Sequence, residues 1–194
     1  MKKIGFFGGS FDPPHFGHLN LAISLAEQHH LDSVLFCPVN QSPFKEHEPI
    51  ASAEHRIAMT LLGIQGLPAF ELCKLEIERG GISYTIDTLR ALKKEYKQDE
   101  LYLLLSEEAI DSFGRWKEAD EIICLAKPLI GTRGMASRQI PDTPLQATLL
   151  SGLTPTPFME ISSTKVRDRL KRKLPCLHLV PANILDYIRR HRLY

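Results

Sequence analysis

With 194 residues, 43% of them hydrophobic and 24% charged, the chain lies within ordinary globular usage and can bury one sizeable core. Its length excludes two large independent domains. A net charge of only +1 excludes a uniformly basic nucleic-acid binder, yet nine of the 24 basic and only two of the 23 acidic side chains fall in residues 165–194, leaving +7 there against −6 over residues 1–164.

The opening Met1-Lys2-Lys3-Ile4-Gly5-Phe6-Phe7 turns glycine-rich too soon for a signal peptide, and no later run approaches membrane-spanning length, so a cytoplasmic location and no membrane partner are expected. Cys37, Cys73, Cys124 and Cys176 are widely spaced, and Cys37 and Cys124 stand in apolar, strand-like runs. They read as reduced, packed thiols.

In chain order, Ile4 to Phe7 predicts a strand, Leu19 to His30 a helix, and Val34-Leu35-Phe36-Cys37 a second buried strand. A helix around Ala53 to Leu62, a strand near Phe70-Glu71-Leu72, a helix from about Thr85 to Tyr96 and the apolar run Leu101 to Leu105 follow. This alternation implies an α/β, Rossmann-like, doubly wound parallel sheet with helices on both faces. Gly131 to Pro157, with four prolines and the strand-like Ala147-Thr148-Leu149-Leu150, predicts a largely irregular connection. A helix opened by Ser162-Ser163-Thr164 and a last one from near Pro181, with Ile184, Leu185 and Ile188 on one face, form a C-terminal helical segment. The expectation is a single domain: a nucleotide-binding core over 1–130, a connection over 131–158, and a phosphate-binding and C-terminal helix over 159–194.

The most informative stretch is Gly8-Gly9-Ser10-Phe11-Asp12-Pro13-Pro14-His15-Phe16-Gly17-His18-Leu19, between the first strand and first helix, where doubly wound folds bind ligands. Gly8 and Gly9 permit close backbone approach, and Gly17 leaves room for a phosphate against the helix's opening turn, which offers unpaired N–H donors. His15 and His18, three residues apart, can point to one side and share one transition state. A structural glycine turn or a two-histidine metal site are the alternatives, although no further ligand cluster is nearby. Nothing fits the phosphate loop Gly-x4-Gly-Lys-Ser/Thr.

The second element is Ile161-Ser162-Ser163-Thr164-Lys165-Val166-Arg167. Hydroxyls at a helix start can meet phosphate oxygens, with Arg167 one turn further on the same side. Alone, such a segment is usually just a cap, and Lys171-Arg172-Lys173 a solvated face.

Together these residues resemble the nucleotidyltransferase superfamily marked by His-x-Gly-His and Ile-Ser-Ser-Thr-x-x-Arg, and within it the bacterial nicotinate mononucleotide adenylyltransferases. Ser42-Pro43-Phe44-Lys45, Gly81-Ile82-Ser83-Tyr84-Thr85-Ile86-Asp87-Thr88-Leu89, Trp116-Lys117 and Val180-Pro181 through Leu193-Tyr194 resemble that family in the same order. The resemblance implies adenylyl transfer from ATP to nicotinate mononucleotide, with magnesium carried mainly on the ATP phosphates. It assigns His15 and His18 to the phosphates, His18 nearest the α-phosphate, and Lys45 to charge neutralisation. Ser163, Thr164 and Arg167 would hold the β and γ phosphates, with Gly8, Gly9, Ser10, Phe11, Gly17 and Ile161 completing the ATP site. Trp116 would stack on the pyridine ring, with Ser83, Tyr84, Thr85 and Lys117 around the acceptor. Where the family usually shows Gly-x-Asp, this chain has Ser106-Glu107-Glu108, so Ser106 and Glu108 take the positions expected at the adenosine ribose.

Three rivals remain open at this level: a related transferase with another phosphate acceptor, such as nicotinamide mononucleotide or phosphopantetheine, a nucleotide-binding module without catalysis, and a tRNA-binding protein. The chain shows no anticodon-binding extension, so no nucleic-acid partner is expected, and the sequence sets no oligomeric state.

Overall fold

A computed structural model describes residues 1–44, 48–132, 144–157 and 159–194. Six strands form one sheet: β1 (Lys3–Gly9), β2 (Ser33–Pro38), β3 (Phe70–Leu72), β4 (Glu100–Ser106), β5 (Lys127–Thr132) and β6 (Leu153–Pro155), in the order β3-β2-β1-β4-β5-β6. Every pairing is parallel. The central strands are therefore covered on both faces, which is why they read as nearly unbroken apolar runs instead of alternating ones.

The period of two divides those runs between two cores. Ile4 and Phe6 of β1 and Leu101, Leu103 and Leu105 of β4 face one side, with α4 (Thr85–Glu95) and α6 (Ala119–Leu125) packed over them through Leu89 and Ile122. Phe7, Val34, Phe36, Tyr102 and Leu104 face the other, under α1 (Phe16–His29) with its Leu19, Ala22 and Leu25. A third cluster, at the periphery, joins Met59 of α2 (Ala53–Ile64), Val166 of α8 (Ser163–Lys171) and Ile184, Leu185 and Ile188 of α9 (Ala182–His191). The doubly wound expectation holds, and the stripe on α9 is core docking.

Two expectations are corrected. Ala147–Leu150 is not a strand: it lies within the helix α7 (Pro144–Ser151), and the strand is the following β6. The stretch from 131 to 157 is thus ordered helix and strand from 144 to 155, while the connection over 133–143 falls outside the described residues. Cys124, expected in a strand, sits exposed on α6, unlike the buried Cys37, Cys73 and Cys176; all four thiols are free. Both errors arise from short apolar runs, whose four residues fit a helix turn as well as a strand. The short α3 (Leu75–Arg79) and α5 (Ile110–Phe113) were not anticipated.

Between α7 and β6, Gly152 donates to the Leu149 carbonyl at 3.1 Å and accepts from the Ile130 N–H at 2.8 Å. A Cβ placed here would stand 2.1 Å from the Pro128 carbonyl oxygen, a backbone atom that cannot rotate away. Gly152→Ala is therefore expected to lower unfolding free energy by roughly 3 kcal/mol in a denaturant titration. A loss below about 0.5 kcal/mol, the range of an ordinary surface change, would contradict this packing.

Candidate active site

The chain leaves β1 toward β2 on one side and returns as β4 on the other, so the connections at the carboxyl ends of β1 and β4 diverge. Such a switch point opens a crevice. A cavity of about 640 Å³ occupies it, floored by Gly8, Gly9 and Leu105 and flanked by His18 of α1 and Thr164 of α8. Two helix N-termini thus turn the positive ends of their dipoles to one space, although at α1 the Phe16 N–H is taken by the Leu179 carbonyl at 2.9 Å and the His18 N–H by the His15 carbonyl at 3.0 Å.

At the first of them, His15 is the N-cap of α1 and His18 lies in its opening turn. The rings stack at 3.6 Å between centroids, 23° from parallel. The His15 N–H donates to His18 Nδ1 at 3.2 Å, which commits Nδ1 as acceptor and leaves Nε2 to carry the proton of the neutral ring. His15 is 5% exposed, and its Nδ1 is buried without a hydrogen-bond partner among the described residues. Burial lowers its pKa to about 4, against a smaller opposing contribution from a backbone hydrogen bond. Gly17 has a role beyond admitting phosphate: a Cβ there would lie 3.1 Å from His15 Nδ1 and 3.3 Å from the Met159 carbonyl, so its absence seats the imidazole.

The second helix is tied to the first. Ser163 Oγ donates to the Pro13 carbonyl at 2.9 Å, and Arg167 Nη1 donates to the Asp12 carbonyl at 2.7 Å. Ser162 caps α8 by accepting the Lys165 N–H at 3.2 Å, and Arg167 Nη2 donates to Thr164 Oγ1 at 3.2 Å. The carboxylate of the buried Asp12 accepts the N–H groups of Ile50 (2.8 Å) and Ala51 (3.1 Å) and the Tyr194 hydroxyl (2.6 Å). Arg56, 2% exposed, gathers the carbonyls of Ser10, Val39 and Ala51 at 3.2, 2.5 and 3.2 Å. Its burial lowers its pKa, with Asp12 opposing, and a guanidinium remains charged at any working pH.

The chain matches the cytidylyltransferase-like family model over residues 6–169. A nicotinate-nucleotide adenylyltransferase of Bacillus subtilis is 37% identical over 194 residues, covering all of this chain and 99% of its own. A probable nicotinate-nucleotide adenylyltransferase of Dictyoglomus thermophilum is 39% identical, with 99% of each chain covered.

The chain belongs to the nicotinate-nucleotide adenylyltransferase family.

Its fold agrees with the nicotinic acid mononucleotide adenylyltransferase of Plasmodium falciparum solved with APC (TM-score 0.79, 19% identity, 100% of this chain and 98% of that one). The same Plasmodium enzyme solved with NaAD superimposes with a TM-score of 0.78 at 21% identity, over 100% of this chain and 98% of that one.

Within this family member, most residues expected at ATP meet in the cavity. Gly8, Gly9, Ser10, His15, Gly17 and His18 line it from the β1–α1 side. Ile161, Ser163, Thr164 and Arg167 line it from the α8 side, and Ser106 and Glu108 from the end of β4. Ser106 closes β4 beside Gly131 of β5, and Glu107–Ala109 form a 3-10 turn at the rim. Phe11 is the exception: its ring, 1% exposed, packs edge-on beneath His18 at 5.1 Å and against Phe7 at 5.6 Å, so it supports the histidines from the core and does not line the cavity.

On the acceptor side, Trp116 alone of the expected residues lines the cavity. It stacks on Phe113 at 5.0 Å and hydrogen-bonds Ser112 Oγ through Nε1 at 3.3 Å. Ser83 is buried, accepting the Asn40 N–H at 2.9 Å, and Tyr84 and Thr85 open α4. The Lys117 ammonium stands 4.7 Å over the Tyr84 ring and 3.2 Å from Asp87, so these residues form a neighbouring platform outside the cavity lining. Lys45 lies outside the described residues.

Sequence reasoning assigned no role to Arg56 or to the Asp12 carboxylate, and Tyr194 entered only as the end of the C-terminal segment. The one available signal was at Asp12, a charged residue between Phe11 and two prolines; Arg56, next to Glu54 and His55, carried none.

Because His15 titrates near pH 4 when folded and near 6.5 when unfolded, the unfolded chain binds the extra proton between those values. The resulting stability is complete above pH 6.5 and is lost as pH falls toward 4, on the order of 3 kcal/mol. Denaturant titrations at pH 7, 6, 5 and 4.5 should show a steeper fall for the wild type than for His15→Gln. Equal slopes would contradict a histidine buried neutral.

Proposed function

We propose that this chain transfers the adenylyl group of ATP to nicotinate mononucleotide, yielding nicotinate adenine dinucleotide and pyrophosphate as a step of NAD biosynthesis in the cytoplasm. The observation that carries the reading is the opening of the α1 and α8 N-termini onto one cavity at the sheet's switch point. Tetraanionic ATP is the kind of ligand such a space selects.

A phosphate oxygen of the acceptor attacks the α-phosphorus in line. The new P–O bond forms as the bond to the bridging oxygen of the β-phosphate breaks, and pyrophosphate leaves with that electron pair. No protein nucleophile is required, and rate comes from positioning and charge stabilisation. His18 Nε2–H donates to an equatorial oxygen of the α-phosphate, while Arg167 and the α8 N–H groups hold the β and γ phosphates. Ser163 contributes its backbone N–H here, since its hydroxyl is committed to Pro13. Lys45 adds positive charge, Glu108 receives the ribose hydroxyls, and Trp116 stacks on the pyridine ring beside Ser83, Tyr84, Thr85 and Lys117.

Among the described residues no three His, Cys, Asp or Glu side chains cluster as a metal cage. Magnesium would be held chiefly by phosphate oxygens and water, with the rim carboxylates Glu107 and Glu108 within the same cavity. When bound, the ion neutralises charge on the triphosphate and on the departing pyrophosphate. No helix among the described residues is long and apolar enough to cross a membrane.

Incubating the protein with ATP, magnesium and nicotinate mononucleotide should release pyrophosphate and form the dinucleotide, with nicotinamide mononucleotide as the comparison acceptor. Absence of both products with either acceptor would overturn the reading. His18→Ala should lower kcat roughly a hundredfold to a thousandfold, the usual effect of removing one transition-state donor, while the chain still folds. Near-normal kcat would remove His18 from the mechanism.

A further inference from the structure

The Tyr194 hydroxyl reaches across the molecule to the Asp12 carboxylate at 2.6 Å, and several features put it there. The helix α9 ends in a turn in which Leu193 N–H bonds the Ile188 carbonyl at 3.0 Å and Arg192 N–H the Arg189 carbonyl at 3.2 Å, a Schellman-type reversal. Arg192 takes the left-handed conformation this requires, at φ 53°. The reversal folds Tyr194 back over the third hydrophobic cluster, where its ring packs with α2, α8 and α9. Its phenol, pushed far above its ordinary pKa by burial and then by Asp12, stays a proton donor at any working pH.

What this contact does follows from the lone pairs of Asp12. Oδ2 accepts the Ile50 N–H, and Oδ1 accepts both the Ala51 N–H and the Tyr194 hydroxyl. With both lone pairs of Oδ1 taken, a two-pronged clamp is closed to Arg167: its Nη1 lies 3.6 Å from Oδ2, longer than a charge-assisted hydrogen bond, and donates to the Asp12 backbone carbonyl at 2.7 Å. Without the phenol, Oδ1 regains a lone pair and the carboxylate can turn to take the guanidinium in a two-pronged clamp. That clamp would withdraw Arg167 donors from the cavity.

We propose that Tyr194 is a positioning residue for nucleotide binding: by occupying Asp12, it keeps the Arg167 guanidinium available to the triphosphate. The inference rests on the ATP-binding reading of the cavity and adds a residue that touches neither substrate.

Calorimetric titration with α,β-methylene ATP and, separately, nicotinate mononucleotide tests it. Tyr194→Phe keeps the ring in its cluster and removes one hydrogen bond to a charged group. It should weaken α,β-methylene ATP roughly tenfold, leave nicotinate mononucleotide affinity unchanged, and shift Tm little. In an Arg167→Lys background, which lacks the planar fork, Tyr194→Phe should cost almost nothing further. Unchanged nucleotide affinity, equal weakening of both ligands, or an undiminished effect in the Arg167→Lys background would each overturn the inference while leaving the ATP site in place. A wild-type protein that binds no α,β-methylene ATP would remove the ATP reading itself, and the inference with it.

Discussion

The two helix starts are held in register by the contacts of α8 with a loop about 150 residues earlier in the chain: Ser163 on the Pro13 carbonyl, and Arg167 on the Asp12 carbonyl beside its carboxylate. Every feature of the cavity presupposes that docking. The Arg167 and Asp12 side chains are 18% and 5% exposed, so these bonds lie largely out of water. The sheet supplies the crevice, but these bonds bring its second wall into place.

The same contacts explain how a chain with a net charge of +1 can hold a tetraanion. Positive potential is concentrated by two helix dipoles, by Arg167 and by the basic α8, instead of being spread over the surface. His15, kept neutral by burial, contributes no repelling or attracting charge at neutral pH; its stacked ring fixes His18, whose Nδ1 is tied to the His15 N–H. Beneath them, Phe11 takes a left-handed conformation at φ 47°, and Arg56 ties the Ser10 carbonyl of the β1–α1 loop to the carbonyls of Val39, Asn40 and Ala51 between β2 and α2. Such preorganisation lets donors stabilise developing charge without moving.

Much of this was legible in the sequence because it is local. The glycines and histidines between an apolar run and a periodic stretch announced a strand, a glycine-rich turn and a helix, and Ser162-Ser163-Thr164 announced the start of another. What was not legible was non-local. Nothing near Asp12 in the chain shows that its carboxylate will meet Ile50, Ala51 and Tyr194, 38, 39 and 182 positions away. Phe11 looked like part of a ligand loop because the motif contains it, yet hydrophobic burial drew its ring inward. The misreading of Ala147–Leu150 and of Cys124 has a different cause: runs of four apolar residues carry no period long enough to separate helix from strand.

A crystal structure of the protein with α,β-methylene ATP and magnesium tests the central claim most directly. The account places the triphosphate between the N-termini of α1 and α8, with an α-phosphate oxygen within hydrogen-bond distance of His18 Nε2 and the β or γ phosphate against the α8 N–H groups and Arg167. A nucleotide bound elsewhere, or one whose phosphates touch only one of the two helix starts, would contradict it.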